Sequence, residues 1–200
     1  MANSMTTGAP VARAMFCDQF GLGFIETRVG NNLAQAAMAP KPGSEEIPDE
    51  PCEKILRLLK KGGIELPLGA VSREILDGRG FSPVCELALT MALIAAWHRT
   101  DVGGPFVFAS ALNHDGFLAP LSPAVFDRIV LENRAVQHLD GVPARIFIAE
   151  QDSAAALKER LRALECLPLF SIMGAETLAD VVDEWMGMER LARDLASPDI

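Results

Sequence analysis

The longest apolar segment of the chain predicts a buried central helix. Pro83 to Trp97 reads PVCELALTMALIAAW, and its only polar side chains are Glu86 and Thr90. A helix that is hydrophobic on all sides belongs inside a domain rather than on its surface. The segment is too short to cross a bilayer, which needs about 20 apolar residues. We therefore expect the other elements to pack around a central helix at 83–97.

The segments before this helix predict strands and one amphipathic helix. Strands are predicted at 11–17, 22–29, 33–39 and 70–76. The stretch from Pro51 to Lys61 has its large apolar residues on one stripe and is followed by two glycines, as an amphipathic helix often is. Residues 1–10 are small or polar for the most part, and we expect them to be flexible.

After the central helix, strands alternate with turns and helices. Strands are predicted at 106–112, 117–121, 144–149 and 167–172. Asp115 and Gly116 supply the turn between the first two strands, since both residue types tolerate a positive φ. Ser122 is expected to cap a helix that ends near His138.

Capping residues mark the last two helices. Asp152 is expected to cap a helix at 153–164, and Thr177 with Asp180 forms a capping box for the final helix. Strands that alternate with helices of this length imply right-handed crossovers and partly parallel strands. The predicted fold is a single α/β (α+β) domain over residues 11–196, with a mixed sheet, an N-terminal meander and a C-terminal βαβα half.

Composition and charge narrow the classes of function. The 200 residues are 50% hydrophobic and 22% charged, as is typical of one globular domain. The net charge of -9 opposes binding to nucleic acid or to an anionic membrane. The four cysteines lie far apart, which predicts neither a disulfide framework nor a zinc site. Because the N-terminus lacks an apolar core typical of a signal peptide, we expect a cytoplasmic protein without a membrane anchor.

Several short stretches share their order with a known type of domain. They are ARAM at 12–15, GGIELP at 62–67, CELALTMALIAA at 85–96, ASALNHDGFLAPL at 109–121, ARIFIAEQDSAAA at 144–156 and TLADVVDEW at 177–185. Together they resemble the Lon-protease-type α/β domain at the N-terminus of magnesium-chelatase-like AAA+ ATPases of the ComM type. The resemblance implies a mixed sheet built around the central helix.

The resemblance also shows what this chain lacks. Active Lon-type peptidases use a serine at the start of the central helix and a lysine base at the start of the helix after the Asp-Gly hairpin. Those two positions fall at Val84 and Val125. Ser82 and Arg128 lie nearby in the sequence, but a permanently protonated guanidinium is a poor base. No G-x-x-x-x-G-K-[ST] motif is present, so no ATPase motor of that kind is expected.

Two hypotheses about function follow from the resemblance. The first is a non-catalytic binding or assembly module, a free-standing degenerate relative of the Lon-like domain whose partner is a second copy or an AAA+ ATPase. The alternative is a serine hydrolase with a displaced nucleophile, Ser82, at the start of the central helix. Neither hypothesis calls for a cofactor.

A basic stripe on the first predicted helix is a candidate surface. Lys54, Arg57 and Lys61 follow one another at helical spacing. They form either a solvated charged face or a contact for a polyanion or a protein partner. Because the whole chain is acidic, nucleic acid is the less favoured of these partners.

An apolar stripe near the C-terminus is a second candidate surface. Met188, Leu191 and Leu195 continue the pattern of the final helix. They either cover the domain's own core or dock a partner helix. Trp97 and Trp185 are interpreted as core or interface anchors, since no basic stripe interleaves with them as in a platform for stacking bases.

The three histidines do not predict a metal site. His114 beside Asp115 resembles an acid–base pair, but it lies in a predicted turn, where such residues are common for backbone reasons. His98 and His138 end predicted helices, where a histidine interacts favourably with the helix dipole. Without nearby cysteines or paired carboxylates, these scattered histidines predict no bound metal.

Overall fold

The computed structural model of the protein describes residues 11–30, 41–100, 102, 106–136, 145–164 and 170–197. Within them, seven strands form one mixed sheet with helices on both faces. The predicted α/β architecture is thereby confirmed, including the antiparallel N-terminal part and the parallel C-terminal strands. The strand expected at 33–39 and the flexible segment expected at 1–10 lie outside the described residues.

The sheet joins an antiparallel half to a parallel half. Its strands are β1 Val11–Asp18, β2 Gly21–Val29, β3 Glu45–Glu46, β4 Val71–Ile75, β5 Phe106–Phe108, β6 Arg145–Glu150 and β7 Phe170–Ala175. Their order across the sheet is β3-β4-β2-β1-β5-β6-β7. Strands β3, β4, β2 and β1 pair antiparallel, whereas β1, β5, β6 and β7 pair parallel.

Two layers of helices cover the sheet. Within the described residues the helices are α1 Asp49–Lys61, α2 Glu86–His98, α3 Pro123–Val136, α4 Gln151–Ala163, α5 Leu178–Met186 and α6 Glu189–Ala196. Successive residues of a strand face opposite sides of the sheet. Thus Ile148 of β6 joins a larger apolar cluster with α1, α2, α5 and α6, and Phe147 joins a smaller one with α3 and α4. None of the described helices is long and apolar enough to span a membrane.

Helix α2 confirms the predicted buried helix. Every residue from Glu86 to Ala96 is buried, and only at Trp97 does a large side chain emerge, with 41% of its surface exposed. The helix starts later than predicted, since Pro83 to Cys85 form a 3₁₀ turn. The carbonyl of Val84 accepts a hydrogen bond from the amide of Ser110 at 3.1 Å, which gives it a partner outside the helix.

Two predicted strands after α2 are wrong in length. β5 ends at Phe108, and the predicted partner strand is reduced to isolated bridges such as that between Leu112 and Leu118. The cause is tertiary, because the amide of Leu112 is bonded to the side chain of Glu86 rather than to a strand. The turn itself is confirmed: Asn113 Oδ1 accepts from the amides of Asp115 and Phe117.

Of the three predicted helix caps, two are present and one is wrong. The Thr177–Asp180 capping box of α5 is present, and Ser122 Oγ accepts a hydrogen bond from the amide of Val125 in the first turn of α3. The prediction that Asp152 caps α4 is wrong. β6 extends to Glu150, whose longer side chain accepts from the amides of Asp152 and Ser153 at 2.9 Å each. Burial alone would raise the pKa of Glu150, but these bonds lower it.

The last predicted strand ends earlier than the strand in the structure. The prediction is 167–172, of which 167–169 lie outside the described residues, and β7 spans Phe170–Ala175. The predicted strand at 144–149 corresponds closely to β6 at Arg145–Glu150.

Helix α6 packs against the C-terminal end of α1. Leu191 is buried, Met188 and Leu195 are half-buried, and all three pack on the larger cluster. A Cβ atom at Gly62 would lie 2.5 Å from Leu191 Cδ1 and 3.1 Å from Leu195 Cδ2, so glycine is what lets α6 approach. The apolar stripe of α6 therefore covers the domain's own core.

Candidate functional site

The two positions at which the resemblance puts a catalytic dyad both contribute to the packing of the smaller apolar cluster. Val84 lies in the 3₁₀ turn before α2, and Val125 lies in the first turn of α3. Val125 belongs to the smaller apolar cluster, and Val84 packs against that cluster. Both side chains are hydrocarbon, so neither can attack a carbonyl or take up a proton.

Ser82, the alternative nucleophile, lies beside this place without a base. Its Oγ is 3.6 Å from Cys85 Sγ, and no other described side chain is within hydrogen-bonding distance of it. Burial raises the pKa of the Cys85 thiol to about 11, so that thiol is protonated at neutral pH. A serine hydroxyl needs an adjacent base to become a nucleophile, and Cys85 is not one.

Arg128, the cation nearest to the lysine position, is held in a structural pair. Its Nη2 atom donates to Glu132 Oε1 one turn along α3. The pair lies flat on the turn between β1 and β2, where a Cβ atom at Gly21 would be 2.7 Å from Glu132 Oε1 and 2.9 Å from Arg128 Nη2. Beside it, burial and the charge of Glu132 raise the pKa of Cys17 to about 12, which keeps this thiol protonated.

A second arginine locks the same turn to the segment that leads into α2. Asp18 is buried, and its Oδ1 atom accepts from the amide of Phe20 at 2.7 Å and from Arg79 Nη1 at 3.0 Å. Arg79 also donates to the carbonyls of Gly21 and Leu22. All of these contacts are internal to the protein, so Arg79 has a structural role and holds the β1–β2 turn against the segment that leads into α2.

A buried ion pair fixes the start of α2. Lys54 Nζ lies 2.9 and 2.8 Å from the two carboxylate oxygens of Glu86, and the amide of Leu112 donates to Glu86 Oε2 at 2.7 Å. The Leu87 amide donates to the carbonyl of Ser110 at 3.1 Å. A lone carboxylate in an apolar segment must find a cation. That rule was available from the sequence, but the prediction gave Glu86 no partner.

The basic stripe of α1 is therefore divided. Lys54 turns inward to Glu86, whereas Arg57 is exposed and donates to the carbonyl of Glu53. Lys61 lines a cleft of about 360 Å³ together with Asp115, Phe117 and residues of α5 and α6. The three cations do not present one continuous face.

A separate charge cluster lies on the other face of the sheet from α2. Glu26 of β2 is 3% exposed, and it accepts hydrogen bonds of 2.7 to 2.8 Å from Arg13, Arg28 and Lys41. Burial by itself raises the pKa of Glu26, but the three cations outweigh it and lower the pKa to about 2. The hairpin register pairs Arg13 with Glu26, so this part of the cluster was readable from the strand pattern.

A larger cleft, of about 600 Å³, surrounds the end of α2. Trp97 and His98 form one wall, and Met188 and Leu191 of α6 form another. His114 is exposed in its turn and lines neither cleft. His138 lies outside the described residues, and so does the side chain of Trp185. Within the described part of the chain, no group of three histidine, cysteine or acidic side chains is arranged to hold a metal ion.

We expect Lys54→Met to lower the free energy of unfolding by about 3 kcal/mol, because it leaves the buried Glu86 carboxylate without its cation. Adding Glu86→Gln should restore part of that loss, so the two changes should couple by more than about 1 kcal/mol. Urea unfolding measures both quantities. Lys60→Met on the same helix is the control, since Lys60 and Glu65 are both exposed and lie 3.9 Å apart. If Lys54→Met lowers the free energy of unfolding no more than Lys60→Met does, the assignment of Lys54 and Glu86 as a buried ion pair is contradicted.

We expect Glu26→Gln to lower the free energy of unfolding by about 1–3 kcal/mol near neutral pH, because three charge-assisted hydrogen bonds weaken. The pKa of Glu26 is lower in the folded protein than its ordinary value of 4.5. Its contribution is therefore complete above about pH 4.5 and is lost as the pH falls towards about 2. Urea unfolding of both proteins should show their difference shrinking over that window. A difference independent of pH would refute the charge-based explanation.

Comparison with known protein families and with curated proteins finds no match for this chain. The resemblance to the Lon-type domain therefore stays a prediction that rests on the short motifs and their order.

Proposed function

We propose that this chain is a non-catalytic binding or assembly module, a degenerate relative of the Lon-like domain of magnesium-chelatase-like ATPases. The observation that carries the proposal is that Val125 belongs to the smaller apolar cluster and Val84 packs against it, at the positions where the resemblance calls for a lysine and a serine. Hydrocarbon side chains at these two positions supply neither a nucleophile nor a base. The module works through its surface, with a second copy or an AAA+ ATPase as its partner.

The surroundings of the two valines support the same proposal. The carbonyl of Val84 is bonded to the amide of Ser110, so the turn before α2 is tied into the fold. The thiols of Cys17 and Cys85 have raised pKa values because they are buried, which leaves them protonated and poorly nucleophilic. Arg79 and Arg128 are both engaged in contacts within the protein.

A fluorophosphonate probe tests the non-catalytic half of this proposal. We expect no covalent labelling from about pH 5 to about pH 10, because Ser82 has no base that would activate it. The readout is the mass of the intact protein, and Ser82→Ala is the matched variant. Labelling that disappears in Ser82→Ala would establish the alternative, a serine hydrolase with a displaced nucleophile.

Light scattering tests the proposal that the chain assembles with a second copy or with an AAA+ ATPase. A mass above that of the monomer, or a stable complex with a purified AAA+ ATPase, is the expected result. A strict monomer that binds no AAA+ ATPase at high concentration would count against an assembly role even if labelling is absent.

A further inference from the structure

We infer that the cleft at the end of α2 binds a basic segment of a partner protein, seating an arginine or lysine side chain on Trp97. This inference rests on the proposed binding role and specifies its partner. It draws on three features of the cleft, namely an exposed indole, exposed carboxylates and the ends of three helices.

The exposed indole is the first feature. Trp97 follows eleven buried residues of α2, yet it is 41% exposed and forms one wall of the cleft. Gly62 and Gly63 line the cleft next to it, and a Cβ atom at Gly63 would meet no atom within 4 Å. Tryptophan is enriched at the energetic centres of interfaces. The face of an indole attracts cations more strongly than that of any other aromatic side chain.

The charges at the rim are the second feature. Glu189 and Asp194 of α6 line the cleft, both are exposed, and neither forms an ion pair within the described part of the chain. Arg190 and His98 also line it, so the two carboxylates share the rim with one guanidinium and one imidazole. The carboxylates are thus available to accept hydrogen bonds from an incoming cation.

The ends of three helices are the third feature. α1 ends in the cap residue Gly62, α2 ends at His98, and α5 ends in the cap residue Gly187, and all three of these residues line the cleft. The C-terminal end of a helix carries a partial negative charge of about half an electron. Only α6 begins here, and the acidic Glu189 is its first residue. The backbone and the side chains therefore favour the same sign of ligand.

Charge complementarity selects a basic protein segment over a second copy of this chain. The chain carries 27 acidic and 18 basic residues, so two copies repel each other at long range. The same field attracts a basic partner. An arginine side chain fits the remaining requirements, because its planar head stacks on an indole while its methylenes cover apolar surface such as Met188.

The test is fluorescence anisotropy of a short labelled peptide that alternates arginine and serine, titrated with the full chain. Binding should weaken as salt is added, and a peptide with citrulline in place of arginine should not bind, since it keeps the shape and loses the charge. Trp97→Ala should weaken binding about tenfold, the size expected for losing a partly desolvated cation–π contact.

Two double variants separate this cleft from the general acidity of the chain. Glu189→Gln with Asp194→Asn should weaken peptide binding, whereas Glu45→Gln with Glu46→Gln removes the same charge from β3 and should leave it unchanged. Glu45 and Glu46 are exposed and line neither described cleft. Equal weakening by both pairs would mean attraction by net charge alone and would overturn the inference.

Other outcomes are equally decisive. Absence of peptide binding overturns the inference, as does a Trp97→Ala variant that stays folded by circular dichroism and binds unchanged. Should Trp97→Ala unfold, the rim variants still decide the matter. A chain that assembles in light scattering but ignores the arginine peptide keeps the proposed function and loses this inference. Covalent labelling at Ser82 would contradict the proposed non-catalytic function, whatever the result of the peptide titration.

Discussion

The carboxylate of Glu86, buried at the start of an all-buried helix, is the constraint on which the rest of this structure depends. Taking a carboxylate out of water costs several kcal/mol unless it is paired and hydrogen-bonded. Lys54 and the amide of Leu112 supply those partners. In doing so they fix α1, α2 and the hairpin segment relative to one another, and the half-buried Val84 in the turn before α2 packs against both apolar clusters.

Local sequence signals were sufficient for much of this fold. The uninterrupted apolar stretch predicted α2, the β1–β2 hairpin followed from alternation, and the Thr177–Asp180 capping box was read directly. Each of these signals depends on residues close together in the chain.

What the sequence did not predict depends on distant partners. β5 ends early because the amides of Ser110 and Leu112 are bonded to the turn and side chain at the start of α2. Lys54 was grouped with two surface cations because its partner lies 32 residues away. Likewise, the cleft around Trp97 is formed by the ends of three helices. The hydrophobic periodicity of one segment does not predict that the ends of three segments meet.

Native-state hydrogen exchange tests most directly whether the start of α2 is closed. The amides from Leu87 to Ala96, together with that of Leu112, should exchange only through global unfolding, because they are buried and hydrogen-bonded to one cooperative unit. Their apparent free energies of opening should equal that of the whole domain. Exchange of Leu87 and Leu112 through a local opening much less costly than global unfolding would contradict the account, since the start of α2 would then open in the native protein.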